Sequence, residues 1–150
     1  MKTTTLAIGK LSGPEAELAA EYQKRLGKSV TVKEFAAPKS LPPAQTQQAE
    51  AQLLLKNIPP QATVILLDER GKDMTSRALA AKIAGWRNEG KDVIFLIGGA
   101  DGVTDEIRAR ADVTLGFGRL TWPHKLVRVM LLEQLYRATQ IIAGHPYHRD

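Results

Sequence analysis

The sequence predicts an α/β fold, a single domain over residues 1–150 with a mostly parallel sheet flanked by helices. Two observations carry this: short β-branched or apolar runs alternate with segments of helical period, and two of the runs, Ala62–Leu67 and Val93–Ile97, are apolar throughout. A run with no polar alternation is what a strand covered on both faces requires, and such strands belong to parallel sheets with helices on either side. A chain of 150 residues suffices for one core of this kind.

Thr3–Ile8 reads as the first strand. Ser12-Gly13-Pro14-Glu15 has the S-x-x-E spacing of a capping box with a proline in the first turn, so a helix follows. It carries Leu18, Tyr22 and Leu26 on one face and stops at Gly27. Val30–Phe35 is the second strand. Pro38, Pro42 and Pro43 make residues 36–43 a loop, and a helix runs from about Ala44 to about Asn57, ahead of Pro59-Pro60.

After the Ala62–Leu67 strand, residues 68–73 read as a polar loop, and Thr75 or Asp73 caps a helix bearing Leu79, Ile83 and Trp86 before Gly90. Val93–Ile97 opens into Gly98-Gly99-Ala100-Asp101-Gly102. A short helix from Thr104 to about Ala111, a strand near Val113–Phe117 and a last helix from Pro123 to about Ile142 complete the chain. The last helix is apolar on more than one side, through Leu126, Met130, Leu131, Leu132, Leu135, Tyr136 and Ile142 among others. It therefore needs a second covering surface, either another copy of the chain or the chain's own helices.

Composition narrows the chemistry. With no cysteine there is no disulfide framework, thiolate metal site or cysteine nucleophile, and a reducing compartment is expected. Residues 1–10 lack the apolar region of a signal peptide, and the stretch from Leu126 to Ile142 is interrupted by Arg128, Glu133 and Arg137, so no membrane association and a cytoplasmic location are expected. Lys and Arg outnumber Asp and Glu by 21 to 16, a net charge of +5 that suits a phosphate-bearing partner or an ordinary basic surface.

Three loops fall at the C-terminal ends of predicted strands, where open α/β sheets bind ligands: residues 67–71, 97–102 and 117–123. The glycines at 98, 99 and 102 allow close approach of main chain to a ligand, or simply a tight turn. Their G-G-x-x-G spacing is not the dinucleotide fingerprint, and no carboxylate lies some twenty residues on, which disfavours a nicotinamide oxidoreductase. His124, Lys125 and Arg128 bring positive charge to a helix N-terminus, against its dipole; they are either solvated or gathered for an anionic substrate. The tail after Gly144 concentrates His145, Tyr147, His148 and Arg149 in six residues, either a frayed end or a functional one. A structural metal site there is not expected.

Five stretches, taken together, resemble in order and spacing the ribosomal RNA large subunit methyltransferase H family, a SPOUT-class family, across essentially the whole chain. They are Leu67-Asp68-x-x-Gly71, Leu96-Ile97-Gly98-Gly99-x-x-Gly102, Leu120-Thr121-x-Pro123-His124-x-Leu126-Val127-Arg128, Glu133-Gln134-Leu135-Tyr136-Arg137-Ala138 and His145-Pro146-Tyr147-His148-Arg149. The resemblance implies a SPOUT-type α/β knot, with a C-terminal trefoil knot that no periodicity reveals. It implies transfer of a methyl group from S-adenosyl-L-methionine, without a metal, to N3 of a pseudouridine in 23S rRNA of the assembled ribosome, by a homodimer. It places the methyl donor against Leu67, Gly99 and the loop Phe117, Gly118, Arg119, Leu120, Thr121 and Trp122, and the chemistry at His124, Tyr147, His148 and Arg149. Phe117-Gly118 stands where the family has a Leu-Ser pair, so a serine hydroxyl is missing from that loop. A non-enzymatic RNA-binding module is the competing reading of the basic charge.

Overall fold

The computed structural model describes residues 2–150. Strands β1 (Thr3–Ile8), β2 (Val30–Phe35), β3 (Thr63–Lys72), β4 (Val93–Ile97) and β5 (Val113–Leu115) alternate with helices α1 (Gly13–Leu26), α2 (Pro43–Leu55), α3 (Ser76–Asn88), α4 (Asp105–Arg110) and α5 (His124–Ala143). They form one five-stranded sheet in the order β2-β1-β4-β3-β5, with every pairing parallel.

Alternation along the strands sends side chains to two cores. Ala7, Ile65, Phe95 and Ile97 face α1, α3 and α5. Leu6, Val64, Leu66 and Leu96 face α2 and α4. All five residues of β4 are buried, which is why that run shows no polar alternation; each side chain contributes about 2 kcal/mol by leaving water.

Some expectations are corrected. Residues 68–72 are not a loop but the continuation of β3, which bulges after Leu67 and re-pairs Lys72 with Leu115. Glu69, Arg70 and Lys72 are exposed there and Asp68 is paired with Arg108, so hydropathy hides the strand. The capping box is not formed: Ser12 makes no side-chain bond to the helix. At α3 the choice falls on Thr75, whose hydroxyl accepts from the Ala78 amide at 3.0 Å. Leu18, placed by its spacing with buried Leu26, is 50% exposed.

Helix α5 lies between α1 and α3, and its residues Val129, Leu131, Leu132, Leu135 and Ala138 pack into the chain's own core. Most of its apolar circumference is thus covered internally. Leu126 remains 38% exposed near its start. Arg128 is buried on the inner face of this helix.

Candidate active site at the C-terminal edge of the sheet

The three loops foreseen at the strand ends meet. They line one cavity of about 520 Å³ that includes Leu67 and Asp68 from β3, Gly98–Gly102 after β4, and Phe117, Leu120, Thr121, Trp122 and His124 between β5 and α5. This volume lies in the range of sites for drug-sized ligands, ~300–1,000 Å³. Gly118 and Arg119 belong to the same loop without lining the cavity.

Local bonds fix each wall. The Trp122 indole donates to the Phe117 carbonyl at 3.0 Å, closing the 117–122 loop on itself around Gly118, whose φ is +90°. Thr121 donates to the Glu69 carboxylate at 2.6 Å and so ties that loop to the extension of β3. Arg108 of α4 donates to Asp68 and to the Val103 carbonyl, both at 3.1 Å, joining the end of β3 to the glycine loop. Leu120 is left 73% exposed at the rim.

The glycine loop closes through a bond from the Gly102 amide to the Gly99 carbonyl at 3.1 Å. Beneath it runs α2. Gln47 donates to the Asp101 carbonyl at 2.9 Å and reaches that of Val103 at 3.3 Å. One turn later the Glu50 carboxyl group sits so close to Gly99 that a Cβ there would lie 2.8 Å from Glu50 Oε2 and 3.0 Å from Ile8 Cγ2. Burial, and then the neighbouring Asp101, push the Glu50 carboxyl above the usual carboxylate range.

His124 opens α5 at the cavity mouth. Burial first, then Lys125 and Arg128, hold its imidazole below the ordinary range, so it is neutral at neutral pH and able to accept a proton. Arg128, grouped with it in the sequence as a cation for an anionic substrate, serves elsewhere. It is 2% exposed, pairs with Glu34 and donates to the Gly9 carbonyl at 2.7 Å and that of Ile8 at 3.3 Å.

Tyr147, His148 and Arg149 do not line this cavity. The tail folds back on its own subunit instead. Tyr147 stacks edge-on to Tyr136 with ring centroids 4.9 Å apart, lies under the Arg137 guanidinium and donates to Glu133 at 3.1 Å. His148 is bonded between Arg137 at 3.1 Å and Asp150 at 2.9 Å, and Asp150 accepts two bonds from Arg77 Nε, at 2.8 and 2.9 Å. The tail is therefore not a frayed end, and Glu133 holds the tail of its own chain.

Sequence reasoning missed Glu50, Gln47 and Arg108 as parts of the site, while Asp68 fell within the foreseen 67–71 loop. Each sits on an amphipathic helix or at a strand end where a charged residue reads as solvated. Only the polar pair Gln47 and Glu50, in Q-x-x-E spacing one turn apart on a helix that also buries Ala51 and Leu54, hinted otherwise.

A family model described as predicted SPOUT methyltransferase matches residues 1–148. Among curated proteins, the chain is 48% identical over 151 residues to Ribosomal RNA large subunit methyltransferase H of Rhodospirillum centenum, with 99% of each chain covered. It is 46% identical over 161 residues to the protein of the same name from Paracoccus denitrificans, covering 100% of each. Among solved structures, a probable methylase family protein from Haemophilus influenzae aligns with a TM-score of 0.60 at 15% identity, over 99% of this chain and 70% of that one. A putative methylase family protein from Neisseria gonorrhoeae aligns with a TM-score of 0.57 at 13% identity, over 99% and 87%. These structural likenesses concern the fold, whereas the matches in sequence run the length of the chain: the protein belongs to the SPOUT methyltransferases and, among them, to the ribosomal RNA large subunit methyltransferase H family.

Proposed function

We propose that this protein transfers a methyl group from S-adenosyl-L-methionine to N3 of a pseudouridine in 23S rRNA of the assembled ribosome, acting in the cytoplasm as a homodimer. The observation that carries the reading is the single cavity that gathers the ends of β3, β4 and β5. The relatives' names, which specify large-subunit ribosomal RNA, and the net charge of +5 support the choice of substrate.

The cavity suits the donor on its own features. Its floor at Gly99 is bare main chain that no side chain could share, and the 117–122 loop offers apolar Phe117 and Leu120 beside exposed backbone. The donor supplies, when bound, a methyl group already activated by its sulfonium. What the chain must add is alignment and a proton acceptor. Leu67, Gly99, Phe117, Leu120, Thr121 and Trp122 form the walls that align, with Gly118 and Arg119 setting the loop's course. His124, neutral at the mouth, takes the N3 proton.

Tyr147, His148 and Arg149 have no place in their own subunit's cavity, which supports their delivery to that of a second copy, where they hold the base and a phosphate. A groove of about 410 Å³ lined by Leu18, Tyr22, Met74, Leu79 and Met130, together with exposed Leu126, offers an apolar surface for that copy. Incubation with labelled donor and ribosomes or free rRNA, followed by nucleoside analysis, tests the reading. Label in 3-methylpseudouridine is expected; label in another nucleoside overturns the substrate, and RNA binding without label favours a binding module.

A further inference from the structure

Among the buried side-chain atoms without a hydrogen-bond partner, the carboxylate oxygen is that of Glu50. The residue is 8% exposed, its Oε1 is fully buried and unpartnered, and its Oε2 lies where a Cβ on Gly99 would come within 2.8 Å of it. The niche around it presents Ile8 from β1, Gln47, Ala51 and Leu54 from α2, Thr104 and Ile107 from α4, and the glycine loop. Asp101 is the titratable group acting on it, and its charge repels a second anion; among the described residues no cation pairs with Glu50. A buried acid in such surroundings is costly as an anion, and nearby positive charge would lower that cost.

That charge has one place to arrive. Gly98, Gly102, Gln47 and Val103 line both the niche and the large cavity, so the two share a wall that includes the glycine loop. On the reading given above, the occupant carries a fixed sulfonium charge before methyl transfer and is a neutral thioether at sulfur after it.

We propose that Glu50 is a positioning residue that senses the ligand's charge through the glycine loop: it releases its proton when the cationic methyl donor binds and regains it once the donor has become the thioether product. The protonated carboxyl group gives its proton to solvent as the cation enters, and the resulting carboxylate balances the sulfonium. Methyl transfer removes that positive charge, the carboxylate loses its counter-ion, a proton returns from solvent, and the product is held less tightly than the donor. At an effective dielectric of about 20, attraction across one layer of backbone is worth at least about tenfold in a binding constant. Glu50 would thereby favour donor over spent product at the same site without touching either.

The test is calorimetric titration of the full-length protein with S-adenosylmethionine and, separately, S-adenosylhomocysteine, in buffers of differing ionisation enthalpy between about pH 5 and pH 8. Proton release is expected on binding the donor and not the product. In Glu50→Gln, checked for folding by circular dichroism, the release should vanish and the donor-to-product affinity ratio should fall about tenfold. In His124→Gln it should persist, which separates Glu50 from the imidazole at the cavity mouth. Donor binding by the parent without proton release overturns the proposal alone, and release that survives in Glu50→Gln does the same. Absence of donor binding by the parent overturns it together with the methyltransferase reading.

Discussion

Arg128 of α5 and Glu34 of β2 form an ion pair in which the guanidinium is almost wholly buried while the carboxylate keeps 37% of its side-chain surface. Arg128 also donates to the Ile8 and Gly9 carbonyls, and Glu34 accepts from the Leu11 amide at 3.0 Å. The pair thus pins the helix that carries His124 to the chain leaving β1.

Removing the carboxylate leaves a buried cation with only carbonyl partners. Glu34→Gln should cost about 2 kcal/mol, measured as a lower urea midpoint with unchanged slope. Arg128→Met, which removes charge and keeps volume, should cost less than the Glu34 substitution if desolvation of the guanidinium is the larger effect. The reverse order would show the ion pair itself to be the stronger contribution.

Gly99 resists a side chain for a reason of contact and not of backbone angle, since its φ is not among the positive ones. A methyl group there meets Glu50 and Ile8, so Gly99→Ala should destabilise the fold by about 1–3 kcal/mol and lower donor affinity. Glu50→Ala in the same chain should recover part of the stability. Additive losses in the double variant, read by thermal denaturation, would show that the two residues do not compete for space.

Glu50 and His124 give opposite pH signatures. The Glu50 carboxyl group is raised on folding, so its stabilising contribution is full below the ordinary carboxylate range and is lost as pH rises through the raised value. Glu50→Gln should therefore gain stability relative to the parent as pH increases. The His124 imidazole is lowered, so its contribution is full above the ordinary imidazole value and is lost as pH falls through the lowered one. Methyl transfer should fall over that same acidic limb as the proton acceptor fills, and a stability profile of His124→Gln with the parent's slope there would contradict the assignment.

Deleting residues 145–150 should abolish methyl transfer while leaving donor binding. It should also cost about 1 kcal/mol of stability, because the edge-on contact of Tyr147 with Tyr136 and its bond to Glu133 are lost. Mixing tail-deleted subunits with subunits disabled at Gly99 should restore activity. Full activity of the deletion homodimer would show the tail to be dispensable, and no recovery on mixing would assign it to its own subunit.

The order of elements was legible because β-branched and helical periods switch cleanly; their arrangement was not, since no period says that β4 sits between β1 and β3. The cavity was legible from strand ends alone, Leu67, Gly99 and Thr121 each being the residue after or near a buried run. Glu50 and Arg128 were not, because hydropathy treats a charged residue on an amphipathic helix as facing water, and only tertiary packing turned them inward. The tail was legible as unusual, with a frayed and a functional end both open; its anchors, Arg77, Glu133 and Tyr136, were not legible, because they are distant in sequence or lie on a helix face judged apolar.

The extension of β3 crosses the end of β5 with main chain against main chain: a Cβ on Gly71 would lie 2.6 Å from the Leu115 carbonyl carbon, and one on Gly116 2.8 Å from the Gly71 oxygen. Neither position can gain a side chain unless the other strand retreats, so both are confined to glycine. The crossing also joins segments made at different times during synthesis. β1 to β4 are all made before β5, yet the wall that Leu115 and Phe117 give the cavity exists only once β5 seats against Gly71, so closing this side of the cavity depends on a contact between segments more than forty residues apart.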